Sequence, residues 1–94
     1  MKQSKTELKT KDVLLSQGYY VVKSAGSKGL FDLVALNKEH ILLVQVKKNQ
    51  GPRSKELNDI KLFDNLPTNA KKQIWTWKKF ERKPCIKEIL NGGV

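Results

Sequence analysis

The chain has 94 residues, which is enough for one small domain with a core of its own and leaves no room for a separate cofactor domain. Apolar residues make up 38% of the sequence and charged residues 30%, a balance typical of a folded globular protein rather than a disordered one. Nineteen Lys and Arg outnumber nine Asp and Glu, and the resulting net charge of +10 favours a polyanionic partner, with nucleic acid ahead of an acidic membrane surface. We therefore expect a single domain over residues 1–94.

Several other classes of protein are excluded by simple features of the chain. No uninterrupted apolar stretch exceeds four residues, Ile41–Val44 being one of them, so we expect no transmembrane helix and no membrane partner. The polar start of the chain has none of the features of a secretory signal. A single cysteine, Cys85, excludes an internal disulfide and a multi-cysteine zinc site. We expect an intracellular protein (cytoplasm or nucleoid, or host cytoplasm if viral) with no small-molecule cofactor.

The first predicted element is a surface helix over about Lys5–Gln17. Ser4 can cap its start, and Glu7 three residues later completes a capping box. Gly18 is a natural stop at its C-terminal end.

Three strands are predicted next. Tyr19–Lys23 is rich in aromatic and β-branched residues, and a glycine loop over Ser24–Gly29 follows it. The apolar runs Leu30–Leu36 and Ile41–Lys48 are separated by Asn37–His40, a pattern typical of a hairpin. Since the later run is apolar on both faces, we expect it to be a central strand covered on both sides.

The second half of the chain predicts a helix over Ser54–Asn65, a strand over Lys72–Phe80 and a short last strand over Cys85–Leu90. Trp75 and Trp77 share one face of the penultimate strand, and we expect them to pack against a helix or a partner subunit, with base stacking as the alternative. The order α-β-β-β-α-β predicts an α/β fold in which helices flank a central mixed sheet.

The hairpin brings together polar residues of complementary chemistry. With a two- or four-residue loop, facing residue numbers in its two strands sum to 77, so Asp32 lies opposite Gln45 and Lys47 shares their face. Asp32, the Gln45 amide oxygen and the Val46 carbonyl are the oxygen ligands that Mg²⁺ prefers. Lys47 could orient or deprotonate a water and offset negative charge in phosphodiester hydrolysis. The alternative is that these polar residues have no chemical role and only mark the place where a buried strand ends and the chain enters solvent.

Two segments carry a resemblance to a known family: Val22–Ala35, with its glycine loop and Asp32, and Leu43–Lys47, with its Gln-Val-Lys ending. They resemble the core of the archaeal Holliday-junction resolvases, members of the PD-(D/E)XK nuclease superfamily, over roughly Lys5–Lys48. The resemblance implies a restriction-endonuclease-like domain with an αβββαβ core.

The resemblance also implies roles for particular residues. The family pattern maps onto Glu7, Ser27, Asp32, Gln45 and Lys47. It implies that Glu7 contacts the metal, with capping of the helix as its alternative role, and that Glu7, Asp32, Gln45 and Lys47 form the catalytic site. The metal ligands would be Glu7, Asp32, Gln45 and the backbone of Val46, with Mn²⁺ a possible substitute for Mg²⁺.

Gln45 departs from the resolvase pattern, which has Glu at this position. A neutral amide offers a metal less charge than a carboxylate, so the affinity for Mg²⁺ should fall. The Mrr-like restriction nucleases of the same superfamily have Gln-x-Lys, which implies that the exchange is compatible with cleavage.

Five residues around this site are predicted to contact DNA: Lys23, Ser27, Lys28, Lys48 and Arg53. The Ser27 hydroxyl can bond a phosphate where the flanking glycines let the backbone approach closely, and the four cations can neutralise phosphates. A solvated turn and solvated charges are the alternatives.

These observations lead to one principal hypothesis, a Mg²⁺-dependent DNA endonuclease selective for DNA structure, with branched DNA as a candidate substrate. Paired nicks in a two-fold symmetric junction favour a homodimer. The first alternative is a non-catalytic DNA-binding module of the same fold, which Gln45 favours. The second is a basic protein-interaction domain.

Overall fold

A five-stranded mixed sheet, with its strands in the spatial order β1-β2-β3-β4-β5, organises the molecule. The computed structural model describes residues 5–23, 31–51, 53–63, 66–79 and 82–89. Its elements in chain order are α1 Lys5–Ser16, β1 Tyr20–Lys23, β2 Leu33–Leu36, β3 Ile41–Lys48, α2 Ser54–Leu62, β4 Ala70–Trp77 and β5 Cys85–Ile89. The predicted α/β class, with helices flanking a central mixed sheet, is confirmed.

The sheet is antiparallel except at its centre. β3 pairs in parallel with β4, and α2 forms the crossover between them, while the other neighbouring strands run antiparallel. β3 is therefore the middle strand, as its apolar character on both faces predicted. Because β3 and β4 are parallel, their C-terminal ends lie at the same edge of the sheet.

The β2–β3 hairpin has the predicted register, from Leu36 opposite Ile41 to Leu33 opposite Val44. The Asn37 N–H donates to the His40 carbonyl at 3.0 Å, and the Asn37 side-chain oxygen accepts from two backbone N–H groups of the turn. This Asx arrangement fixes the tight turn and, through it, the pairing of the whole hairpin.

One face of the sheet is covered by α1. Trp75 and Trp77 are buried there (2% and 6% exposed) with apolar side chains of α1, β2 and β3. The Trp77 Nε1–H donates to the buried Thr10 hydroxyl at 2.7 Å, which in turn donates to the Thr6 carbonyl. The tryptophans therefore pack against a helix, as predicted, and a hydrogen bond fixes the height of α1 over β4.

Helix α1 ends where Gly18 predicts. Gly18 adopts a left-handed conformation with φ of 90°, its N–H donates to the Leu15 carbonyl, and the Tyr19 N–H donates to the Leu14 carbonyl. This is a Schellman motif, in which a residue without Cβ turns the chain at no steric cost. The predicted cap Ser4 lies outside the described residues.

The opposite face is covered by α2 through a smaller cluster of Ile60, Ile74 and Ile89, with Phe31 and Leu57 packed against it. The predicted helix was too long, because α2 ends at Leu62 and Phe63 already has extended ψ of 101°. Asn65, its predicted end, lies outside the described residues.

The reason for the early end of α2 is a buried lysine on β4. Lys72 is only 1% exposed, and its ammonium donates to the carbonyls of Ile60, Lys61 and Phe63. Carbonyls in the last turn of a helix can accept further donors (that of Ile60 also accepts from the Phe63 N–H at 3.3 Å), and the helix dipole favours a cation there. Lys72 therefore anchors α2 to the sheet.

Several predicted strand boundaries need correction. β4 begins at Ala70 and ends at Trp77, earlier than the predicted Lys72–Phe80. β2 begins at Leu33, so Asp32 lies just outside the strand.

No helix within the described ranges is long and apolar enough to cross a membrane.

Replacing Lys72 with Met should lower the free energy of unfolding by about 1–3 kcal/mol, because it leaves buried carbonyls without their charged donor. Lys71 is the matched control, since this neighbour is exposed on the other face of β4, and Lys71→Met should change stability by less than about 0.5 kcal/mol. Urea denaturation measures both. Equal effects of the two substitutions would show that Lys72 does not anchor α2.

Candidate functional site

The candidate site is built around Asp32, at the point where the β2–β3 ladder ends. The Asp32 N–H donates to the Val44 carbonyl at 2.8 Å, although Val44 is already the register partner of Leu33. Two residues on one strand thus oppose one on the other, as in a β-bulge, which re-aims side chains next to it. The predicted direct pairing of Asp32 with Gln45 is therefore wrong.

The bulge turns the Asp32 carboxylate towards the backbone of β3. Its Oδ2 accepts a hydrogen bond of 2.8 Å from the Val46 N–H, taking the place of a further β2 residue. The break in alternation is also visible at Phe31, which packs on the α2 side with its ring 5.7 Å from that of Phe63. Asp32 thus lies beside the Gln45-Val46-Lys47 tripeptide, as predicted, although a bulge rather than direct pairing with Gln45 places it there.

The Val46 carbonyl is placed on the same side as Asp32. In a strand, the N–H and C=O of one residue point to the same neighbouring strand, and the Val46 N–H points to Asp32. The Val46 side chain is buried in the opposite direction, in the α1 cluster. Its backbone oxygen is accordingly available as a candidate ligand beyond the last ladder pair.

The electrostatic surroundings of Asp32 make its charged form unfavourable. Burial raises the pKa of its carboxyl, the hydrogen bond from Val46 lowers it, and the charge of Glu7 raises it further. Lys47 and Lys23 act in the opposite direction, and the net result is a pKa above the ordinary 3.8. Glu7, on the first turn of α1, is therefore close enough to repel Asp32. Two repelling carboxylates are a favourable place for a cation.

Gln45 lies half-buried on the α2 face of β3, next to Ile74 of β4. Within the part of the chain that the structure describes, its side chain makes no hydrogen bond. The same described residues contain no group of three or more His, Cys, Asp or Glu side chains suited to a metal. The candidate donor set thus has two carboxylates and neutral oxygens, which suits a hard cation held weakly.

Lys47 makes a contact that the sequence analysis missed. Its ammonium forms a salt bridge with Glu56, on the first turn of α2. The hydrogen bond from Lys47 lowers the pKa of the Glu56 carboxyl, burial opposes this shift, and Arg53 also lowers the pKa. The signal was available in the spacing, because only five residues separate the end of β3 from the start of α2 and the first turn of α2 must stay near that end.

The predicted DNA contacts are partly described. Lys23 ends β1, Lys48 ends β3 and Arg53 precedes α2, and all three are exposed at the edge of the sheet that carries Asp32. Ser27 and Lys28 lie outside the described residues. The structure thus gathers Glu7, Asp32, Val46 and Lys47 at one end of the sheet, with three cations around them.

Comparison with known proteins adds a fold relationship. No protein-family model matches the chain, and no curated protein matches it in sequence. Among solved structures it is similar to Archaeoglobus fulgidus Hjc, a Holliday junction resolvase from an archaeal hyperthermophile. The TM-score is 0.69 at 17% identity, over 92% of this chain and 73% of that chain. The chain therefore has the fold of a resolvase nuclease, as the resemblance implied.

Replacing Asp32 with Asn tests the electrostatics of the site. Because the native state raises the pKa of Asp32, it holds this proton more tightly than the unfolded chain, whose carboxyl has the ordinary value of 3.8. The contribution of Asp32 to the free energy of unfolding is therefore complete below the ordinary pKa of 3.8. It is lost as the pH rises through the raised pKa of the native state. We expect Asp32→Asn to gain stability relative to wild type across this window, in urea denaturation with EDTA.

The counterpart measurement adds Mg²⁺ at neutral pH. The ion should raise the denaturation midpoint of the wild type and leave that of Asp32→Asn unchanged, because a ligand stabilises only the state that binds it. An Asn variant that loses stability relative to wild type as the pH rises would contradict the electrostatic account.

Proposed function

We propose that the protein is a Mg²⁺-dependent DNA endonuclease that selects its substrate by DNA structure. One observation carries the proposal: the Asp32 carboxylate lies against the backbone of the Gln45-Val46-Lys47 tripeptide, within electrostatic reach of Glu7. The similarity in fold to Hjc, described as a Holliday junction resolvase, supports the same class of reaction.

The oxygen atoms of the site fit a divalent ion. Asp32 and Glu7 would supply negative charge, and the Gln45 amide and Val46 carbonyl would complete the set with neutral oxygens. When bound, the ion would polarise a phosphate oxygen and lower the pKa of a coordinated water. Because burial and the charge of Glu7 make ionised Asp32 unfavourable, a cation beside it would stabilise the ionised form.

Lys47 would act on the phosphate. Its ammonium is held by Glu56, which fixes its position next to the tripeptide. A positioned cation can stabilise the charge that develops on the phosphate oxygens as water attacks phosphorus and the P–O bond to the leaving group breaks. Glu56 is a positioning residue in this scheme, since it acts through Lys47.

The decisive experiment is a cleavage panel with labelled four-way junction, flap, linear duplex and single strand, each with Mg²⁺, with Mn²⁺ and with EDTA. Wild type should nick at least one branched form only when a divalent ion is present. Asp32→Asn should lower the rate by more than about a hundredfold, since even outer partners of metal ligands account for ten- to hundredfold. DNA affinity in EDTA should be unchanged by this substitution.

A second arm of the same panel uses Gln45→Glu. A third carboxylate should lower the Mg²⁺ concentration required for half-maximal cleavage, because added ligand charge strengthens binding of a hard cation. Gln45, with only two carboxylates nearby, is the observation that favours the alternative, a DNA-binding module of the same fold without catalysis. Wild type that binds these DNAs and cuts none of them would establish that alternative.

We also propose that the active form is a homodimer. A four-way junction has two-fold symmetry, and resolving it requires two nicks placed symmetrically, which two identical sites on one assembly provide. Light scattering should give twice the chain mass of 10.8 kDa for the protein in solution or bound to a junction. A single chain per junction at saturation would rule out the paired-nick scheme.

A further inference from the structure

A second basic feature lies on the α1 face of the sheet, at the edge where β3 and β4 end. It is a cleft of about 400 Å³, here called the lysine cleft, lined by Thr6, Lys9, Lys48, Asn49, Trp77, Lys78 and Lys79. None of these seven residues is acidic, and four are lysines. A smaller hollow of about 220 Å³ continues it along α1, between Lys5 and Lys48.

The fold brings these lysines together from three elements. Lys48 and Trp77 are register partners at the ends of parallel β3 and β4, so the residues that follow each strand emerge side by side. The Asn49 N–H donates to the Trp77 carbonyl at 2.8 Å and holds the two chain ends together. Lys9 approaches from α1, with its ammonium 5.6 Å from the centre of the Trp77 ring.

Two contacts of Trp77 position groups in the cleft. The Trp77 ring lines it, and the ring Nε1–H donates to the Thr10 hydroxyl. The Lys9 ammonium is attracted to the face of the ring, which positions one cation in the cleft. Lys9, Lys48 and Lys78 bring like charges together there, so the cleft suits an anionic ligand with several charges.

The cleft lies next to the candidate active site along the chain, and β3 contributes a lysine to each from opposite faces. Lys47 and Lys48 are neighbours on β3, and alternation points Lys47 to the α2 side and Lys48 to the cleft. Thr6 and Glu7 are likewise neighbours on α1. A polyanion bound at Asp32 could therefore extend across the edge of the sheet into the cleft.

We infer that the lysine cleft binds nucleic-acid phosphodiester groups that flank the one placed at Asp32, with Lys9, Lys48 and Lys78 as the contacts. The inference rests on the proposed function for the identity of the polyanion. It adds Lys9 and Lys78 to the DNA-binding surface. It also places the DNA backbone over α1 rather than over α2.

The test compares the triple variant Lys9→Gln/Lys48→Gln/Lys78→Gln with the charge-matched control Lys38→Gln/Lys71→Gln/Lys87→Gln, made of three exposed lysines elsewhere. Fluorescence anisotropy measures binding of a labelled duplex and a four-way junction in EDTA, over a series of salt concentrations. EDTA makes the measurement independent of cleavage.

The cleft variant should lower the slope of log K against log salt by about 3, because each phosphate contact contributes close to 1. The control should keep a slope near that of wild type, and inorganic pyrophosphate should compete with DNA for wild type more strongly than for the cleft variant. Equal losses in the two triple variants would overturn the inference, because they would indicate diffuse attraction by net charge. Matching urea midpoints of both variants and wild type guard against unfolding as the cause.

The two proposals fail separately. A cleft variant that loses salt-dependent binding, in a protein that cuts no DNA, would leave the cleft established and remove the nuclease. Metal-dependent cleavage by wild type, combined with an unchanged slope in the cleft variant, would keep the nuclease and remove the cleft.

Discussion

The hydrogen bond between the Asp32 carboxylate and the Val46 N–H is the interaction on which the candidate site depends. This hydrogen bond is 2.8 Å long. It lies at the end of the β2–β3 ladder, where β2 has no further residue to offer an acceptor. A part-buried backbone N–H needs such a partner, and any side-chain oxygen would satisfy it. The fold does not need the negative charge, which burial and Glu7 make unfavourable. Charged groups that their surroundings make unfavourable are found more often at functional sites than elsewhere.

Two lysines on neighbouring strands extend this arrangement to α2. Lys72 on β4 fixes the C-terminal end of the helix through its carbonyls, and Lys47 on β3 meets Glu56 at the first turn. The helix is thus held at both ends by cations of the sheet. Glu56 belongs to this anchored helix. The position of Lys47 beside Asp32 therefore depends also on the contacts of Lys72 at the far end of α2.

The sequence predicted what periodicity and turn chemistry determine. The register of β2 and β3 follows from the Asn37 turn, and the central place of β3 follows from its apolar faces. The bulge at Asp32 could not be predicted, because a single backbone hydrogen bond decides it. The burial of Lys72 was equally hidden, since its partners are helix carbonyls rather than side chains. The catalytic and metal-binding roles of Glu7, Asp32, Gln45 and Lys47 stay predictions.

The adjacent lysines at the end of β3 have different electrostatic surroundings. Lys47 is paired with Glu56, which largely compensates its charge. Lys48 faces a cleft lined by other lysines and no acid, so a phosphate there would displace counterions and relieve repulsion. The two-residue period of the strand therefore places the lysine proposed to act in catalysis and the lysine proposed to bind phosphate on opposite faces, where each can be substituted separately.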